Sequence, residues 1–343
     1  MLTNRGVLAT SGIACLCALA RHRRSVGVVG SMTIRRMGAI GIEISGGGKR
    51  RTTATAIAKE RLVVAMRHYR ALERNWQAWL AGNPLSIEVT ASPLMGTVES
   101  VVRFSSPLDQ SLASHAKACM GEVRAALDNM IVAMVAEAGG SETQASFPIT
   151  AREEGWGRTA KRRMPGLAED VRTRARALQS WAMDTPAGTQ HPLVFLRQWD
   201  ADKHREPMRV GVGTNFPPGE SHVGEVTMTF NGPGAHEAAR RATENIDVDA
   251  MFDLTVGVVR DGQVLSRIKL PPGAVVGKAH TDGSFCLMAL TDGISKPDPL
   301  FPQLMNLMRF ADQAADYVTG VQPDVPKAWE PGEGIGGLPT LTP

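Results

Sequence analysis

Asp109-Gln110-Ser111-Leu112-Ala113-Ser114-His115-Ala116-Lys117-Ala118-Cys119-Met120-Gly121-Glu122-Val123-Arg124-Ala125-Ala126-Leu127-Asp128-Asn129-Met130-Ile131-Val132-Ala133-Met134 carries the strongest helical pattern in the chain. Leu112, Ala116, Cys119, Val123, Ala126, Leu127, Met130 and Met134 recur at three- and four-residue steps, which places them on one face of a helix. Asp109 suits the N-cap, where its carboxylate can take a free backbone N–H, and Gly139-Gly140 stops the pattern. So long and apolar a stripe belongs at the centre of a core.

On the N-terminal side of that helix, Leu62, Met66, Tyr69, Leu72, Trp76 and Leu80 predict an earlier helix over 58–81, ended by Gly82-Asn83-Pro84. Residues 86–91 and 98–104 alternate apolar and polar around Pro93 to Gly96, the pattern of a β-hairpin. After the central helix, Phe147-Pro148-Ile149 reads as an extended link. Pro165 suits the first turn of a further helix carrying Leu167, Val171, Leu178 and Trp181. Residues 192–204 predict a short helix with Leu193, Leu196 and Trp199 facing inward.

Beyond Pro207 the period changes. Residues 208–212, 223–230, 252–259, 264–270 and 284–290 read as strands, and Asp261-Gly262 marks a tight hairpin turn between two of them. A last helix over 302–319 carries Leu304, Leu307, Met308, Ala311, Ala315 and Val318. This segregation predicts an α+β fold: an N-terminal helical bundle with a β-hairpin, then a mostly antiparallel sheet, then a closing C-terminal helix. The divisions expected are a leader over 1–51, the bundle with its hairpin over 52–206, the sheet and last helix over 207–322, and a Pro/Gly-rich tail over 323–343. The closing helix is placed to return onto the bundle, which would join the two middle segments into one domain.

The chain has 343 residues and a formal charge of +4, with a pI near 9.0. Its basic excess is concentrated at one end. Residues 1–51 hold nine Lys/Arg and one acid, Glu43, or +8; the rest holds 29 bases against 33 acids, or −4. The body therefore lacks a general electrostatic footprint for phosphate backbones. The basic, Gly-rich leader reads as disordered or as the product of an upstream start, with Met32 a suitable internal start. Its apolar run over 7–20 precedes the cluster Arg21-His22-Arg23-Arg24, the reverse of a secretory signal. No run reaches the ~18–20 apolar residues of a membrane span. Cys15, Cys17, Cys119 and Cys286 form no C-x-x-C or dense framework, consistent with reduced thiols and a cytoplasmic protein.

Motifs for bound groups fail on inspection. Gly46-Gly47-Gly48-Lys49-Arg50 has Glu43 where a phosphate loop needs its first glycine and Arg50 where it needs Ser or Thr. Gly211-Val212-Gly213 runs into Phe216-Pro217-Pro218 rather than a third glycine and a helix. Asp200 and His204 share a helix face, yet two ligands fall short of the three or four a stable metal site uses, and His191 and His280-Thr281-Asp282 lie apart. No cofactor and no metal are expected.

Two polar nodes remain. Arg124 and Asp128 lie one turn apart beside the apolar stripe, as an intrahelical ion pair would. Trp199-Asp200-Ala201-Asp202-Lys203-His204-Arg205 packs acids, bases and a histidine into a helix C-terminus, where Lys203, His204 and Arg205 complement the dipole. Glu122-x-Arg124-x-x-Leu127-Asp128, Phe147-Pro148-Ile149 and Asp202-Lys203-His204-Arg205, in that order, resemble a group of uncharacterised bacterial proteins. Those proteins carry an Arg-Ser-Ala-Leu-Asp-His segment and a later Asp-Lys-His-Arg segment. The resemblance covers about Ala58 to Val210 and brings no established activity with it.

An Arg-x-x-x-x-His segment on a bundle helix is also similar to the signature of HEPN-type helical domains, some of which are RNA-cleaving toxins. That resemblance implies an arginine stabilising phosphate charge and a histidine moving a proton or positioning the phosphate. Arg124 matches the arginine, but Asn129 stands at the histidine position, and asparagine is no acid or base near neutral pH. His204, from another helix, would have to substitute. Two expectations follow. The chain is a non-catalytic binding or interaction protein whose Arg124, Asp128, Asp200, Asp202, Lys203, His204 and Arg205 organise helices. Alternatively it is a HEPN-like RNA-cleaving enzyme in which Arg124 and His204 line a groove, completed across a homodimer where one chain does not suffice. The partner is RNA in the second case and RNA or protein in the first, with no membrane in either.

Overall fold

The computed structural model describes residues 49–92, 96–185, 190–202, 209–214, 226–230, 237, 252–254, 257–270, 274–279, 285–290 and 299–326. They form two compact units. One is built from Asn83–Pro107 and Val212–Phe285; the other takes the chain up to Gly82, then Leu108–Gly211, then the chain from Cys286 onward.

The helical unit is centred on α2 (Ser111–Glu137), with Leu112, Ala116, Cys119, Val123, Leu127, Met130 and Ile131 fully buried. Asp109 does cap it. Its Oδ1 accepts the Ser111 N–H at 2.8 Å, while Gln110 is already helical at φ −66. Gly139 turns the other end at φ 72, and the Gly140 N–H reaches back to the Val135 carbonyl at 2.9 Å. α1 (Lys49–Ala81) lies along α2 and buries Ala58, Leu62, Ala65, Tyr69, Leu72 and Trp76. It begins nine residues before the expected start, so the predicted leader boundary at 51 falls inside a helix. The cause is tertiary. Ala54 is buried, the Thr55 hydroxyl meets that of Thr319 at 2.9 Å, and Lys59 pairs with Asp316 at 3.1 Å.

Those partners belong to α6 (Leu300–Thr319), which returns onto α1 and α2 as the spacing of its apolar residues predicts. Gly320, at φ 78, closes it. The helix expected from Pro165 is present in shorter form as α4 (Glu169–Ala177), and it is preceded by α3 (Trp156–Arg163), which the spacing does not predict, with Pro165-Gly166 between the two. Leu167 and Leu178 flank α4, and Trp181 lies beyond it. α5 (Pro192–Asp202) follows, with Leu193 and Leu196 fully buried and Trp199 nearly so.

In the other unit β1 (Leu85–Ser92) and β2 (Thr97–Phe104) form the predicted hairpin, in register from Leu85 opposite Phe104 to Ser92 opposite Thr97. β2 then pairs antiparallel with β7 (Val264–Lys269), and β7 with β5 (Phe252–Leu254), giving the order β1-β2-β7-β5. This corrects the expected division. The hairpin joins the later strands rather than the helices, because β2 satisfies its second edge on β7. β3 (Arg209–Thr214) pairs with β6 (Gly257–Val258), and β4 (Val226–Phe230) with β8 (Ala274–Ala279), a strand the alternation does not predict. β9 (Phe285–Leu290) leads the chain back to the helical unit.

The Asp261-Gly262 turn is present, with the Gln263 N–H on the Arg260 carbonyl at 3.0 Å. It joins no hairpin of neighbours, however, since β6 pairs with β3 while β7 pairs with β2 and β5. Gly262 alone takes a positive φ, 76, at the third position, as a type II turn requires. The turn instead prolongs the β2 ladder: Gly262 donates to the Val102 carbonyl at 2.9 Å, and the Asp261 carboxylate accepts the Phe104 N–H at 2.9 Å.

Candidate functional site

Arg124 and Asp128 lie on α2 one turn apart, Nε to Oδ2 at 3.0 Å, with side chains 15% and 27% exposed. They hold more than each other. Arg124 Nη2 donates to the Phe147 carbonyl at 3.1 Å, and the Phe147 N–H donates to Asp128 Oδ1 at 2.9 Å. The ion pair therefore grips both polar groups of one residue, much as a neighbouring strand would. Phe147 itself is fully buried.

The rest of this strap is held likewise. The Ser146 N–H bonds to the Arg163 carbonyl at 3.0 Å. Gln179, fully buried beyond α4, donates to the Pro148 carbonyl at 3.0 Å and accepts the Thr150 N–H at 3.0 Å. Trp181 Nε1 reaches Thr150 Oγ1 at 3.0 Å. An extended segment with an apolar core residue thus runs among helices with its backbone paired by side chains. Sequence reasoning isolates Arg124, Asp128 and Phe147-Pro148-Ile149 but misses Gln179. The available signal is an uncharged amide directly after Leu178, a core position just past the end of α4.

Burial raises the pKa of Asp128 from its ordinary value, against the pull of Arg124 and of the Phe147 N–H. Asp200 pushes in the same direction as burial, and Arg163 opposes it. α5 is drawn in by Trp199, whose ring lies 3.7 Å from where a Cβ on Gly121 would stand. Among the sequence-derived candidates, Arg124 and Asp128 meet directly, and Asp200 bears on Asp128 through its charge. Asp202 is the last residue of α5. Lys203, His204 and Arg205 lie outside the described residues.

Arg124 Nη1 is buried and has no hydrogen-bond partner among the described residues. Glu122 pairs with Arg61 on α1 at 3.2 Å, and Asn129 is half-buried. His191, weighed as a metal ligand, instead heads α5. Its Nδ1 accepts the Leu193 N–H at 3.1 Å, and burial lowers its pKa to about 4. Among the described residues no group of three or more His, Cys, Asp and Glu is placed to hold a metal ion, and no helix is long and apolar enough to cross a membrane. No family model, curated protein or solved structure matches the chain.

Proposed function

We propose that this chain is a non-catalytic binding or interaction protein in which Arg124 and Asp128 hold the Phe147 strap rather than a substrate. One observation carries this: two of the three guanidinium nitrogens of Arg124, and both carboxylate oxygens of Asp128, are engaged with each other or with the Phe147 backbone. A guanidinium committed to a carboxylate and a carbonyl is poorly placed to stabilise charge appearing on a phosphate. Asn129, at the position of the HEPN-type histidine, offers no proton transfer.

A second reading, HEPN-like RNA cleavage by Arg124 with His204, has one observation in its favour: Nη1 of Arg124 is buried without a hydrogen-bond partner among the described residues. Incubating the full chain with mixed RNA, with and without divalent metal, separates the two. We expect intact RNA in every condition. We also expect Arg124→Ala to lower stability by about 3 kcal/mol, because it strands the Asp128 carboxylate and the Phe147 carbonyl. Cleavage that disappears in both Arg124→Lys and His204→Ala, with unchanged urea midpoints, would overturn the binding assignment.

A further inference from the structure

α3 is the most basic short element described, with Arg158, Lys161, Arg162 and Arg163 in eight residues and no acid. Its two faces divide cleanly. Trp156 and Ala160 are buried, with Trp156 edge-on to Trp181 at 6.3 Å, while Arg158, Lys161 and Arg162 are exposed. At 100° per residue those three cations fall within an arc of about 100° opposite Trp156. None of the three takes part in an ion pair among the described residues, although other cations nearby do. Arg172 pairs with Glu169, Arg174 with Asp170 and Arg176 with Glu153, which uses up three of the four acids between 152 and 176. The fourth, Glu154, lies in the 3-10 turn region ahead of α3. Residues 152–176 hold eight bases and four acids, or +4, inside a body of −4 over 52–343, so the remainder of that body is −8.

We propose that the outer face of α3 docks the phosphodiester backbone of a nucleic-acid strand, which deepens the binding assignment made above by naming a partner and a place. Cations spaced one helical turn apart, held rigidly by Trp156, meet successive phosphates without losing existing ion pairs. Within residues 52–343 the acidic remainder repels a polyanion elsewhere and turns this face towards it. An anionic membrane fits less well, because an interfacial helix needs exposed apolar residues beside its cations. Here Trp156 and Ala160 are spent inside. A further exposed stripe of arginines, Arg67, Arg70 and Arg74 on α1, is interrupted by exposed Glu73, whereas the outer face of α3 carries no acid. Contacts confined to phosphates carry no sequence information and do not read the sugar, so RNA and DNA strands of equal length should bind alike.

The test is fluorescence anisotropy of the full chain with labelled 20-nucleotide RNA and DNA strands. Vesicles containing phosphatidylserine and a poly-glutamate peptide serve as rival polyanions. Three phosphate contacts on a single strand predict a log–log salt slope near −2, or roughly a twentyfold loss of affinity between 50 and 200 mM salt. Arg158→Glu/Lys161→Glu/Arg162→Glu should weaken strand binding at least tenfold, and Lys161→Ala alone should flatten the slope by about 0.7. The same charge change in Arg67→Glu/Arg70→Glu/Arg74→Glu should leave binding within about threefold. All six side chains are exposed, so circular dichroism should show both triple variants folded. No strand binding at 50 mM salt overturns the proposal, as does equal loss in the two triple variants. Tighter α3-dependent binding to vesicles or poly-glutamate than to either strand overturns it too. A strand bound through α3 and also cut would leave this surface standing and remove the non-catalytic assignment. Absent binding without cutting would do the reverse.

Discussion

The imidazole of His191 is 3% exposed at the head of α5, lying edge-on to Phe310 with ring centroids 5.4 Å apart. Pro192 has no N–H, so the first amide needing a partner is that of Leu193, and His191 Nδ1 accepts it at 3.1 Å. The ring proton therefore resides on Nε2, which faces Met183 Sδ at 3.5 Å. Protonating Nδ1 would set a donor against a donor in an apolar setting, and burial accordingly lowers the pKa from 6.5 to about 4. The unfolded chain binds this proton first. Stability is thus complete above pH 6.5 and declines as pH falls towards 4, by about 3 kcal/mol in all. His191→Asn keeps a capping oxygen but removes the titration. Urea unfolding from pH 7.5 to 4 should show the wild-type midpoint falling more steeply than that of the variant; parallel curves would exclude this role. At the same scale, the Arg124–Asp128 pair is readable as i,i+4 spacing. What it grips is not, because Phe147 lies 23 residues from Arg124 and is held by its backbone, which no side-chain pattern marks.

Elements were legible in proportion to how much of their stability comes from a periodic apolar face. α2, α5 and α6 announce themselves because their buried residues recur at helical steps. α3 does not, since Trp156 and Ala160 are its only buried residues and its helicity rests on their tertiary contacts. β8 is hidden because Gly277 and Lys278 break its alternation. The paired glycines after α2 look alike in sequence, yet the structure separates them. Gly139 needs its positive φ of 72 and has open space around it. A Cβ on Gly140 would stand 2.7 Å from the Pro165 carbonyl oxygen and 3.0 Å from Val135 Cγ1. Gly139→Ala should cost about 1 kcal/mol through backbone strain. Gly140→Ala should cost about 2–3 kcal/mol, because two backbone segments must move apart. Thermal unfolding of the two variants measures this order directly, and a larger loss for Gly139→Ala would show that the Pro165 link yields easily.

At the scale of the whole chain the α+β class was legible, and the grouping of elements was not. Nothing in residues 83–107 signals that β2 will find its second partner in β7, well over a hundred residues later; pairing is a backbone property and the alternation is satisfied by many neighbours. The consequence is a helical unit whose chain is interrupted twice and completed only by α6. Leu304, Leu307, Ala311, Ala315 and Val318 are buried there, and the pair Thr55–Thr319 joins residues 264 apart. Cys119 reports whether this closure has happened. It is fully buried with Sγ 3.9 Å from Met308 Sδ, and burial raises its pKa from 9.0 to about 12. At pH 8 an ordinary thiol of pKa 9 is roughly one-tenth thiolate, while one of pKa 12 is about a thousandfold less so. Alkylation of the native chain at pH 8, followed by mass spectrometry of the Cys119 peptide, should find it protected by at least that factor. A chain ending at Asp298 lacks α6, Met308 included, and should lose the protection while binding more of a hydrophobic dye. If the shortened chain kept Cys119 unreactive, α1 and α2 would close the core by themselves, and α6 would be an addition to a unit already complete.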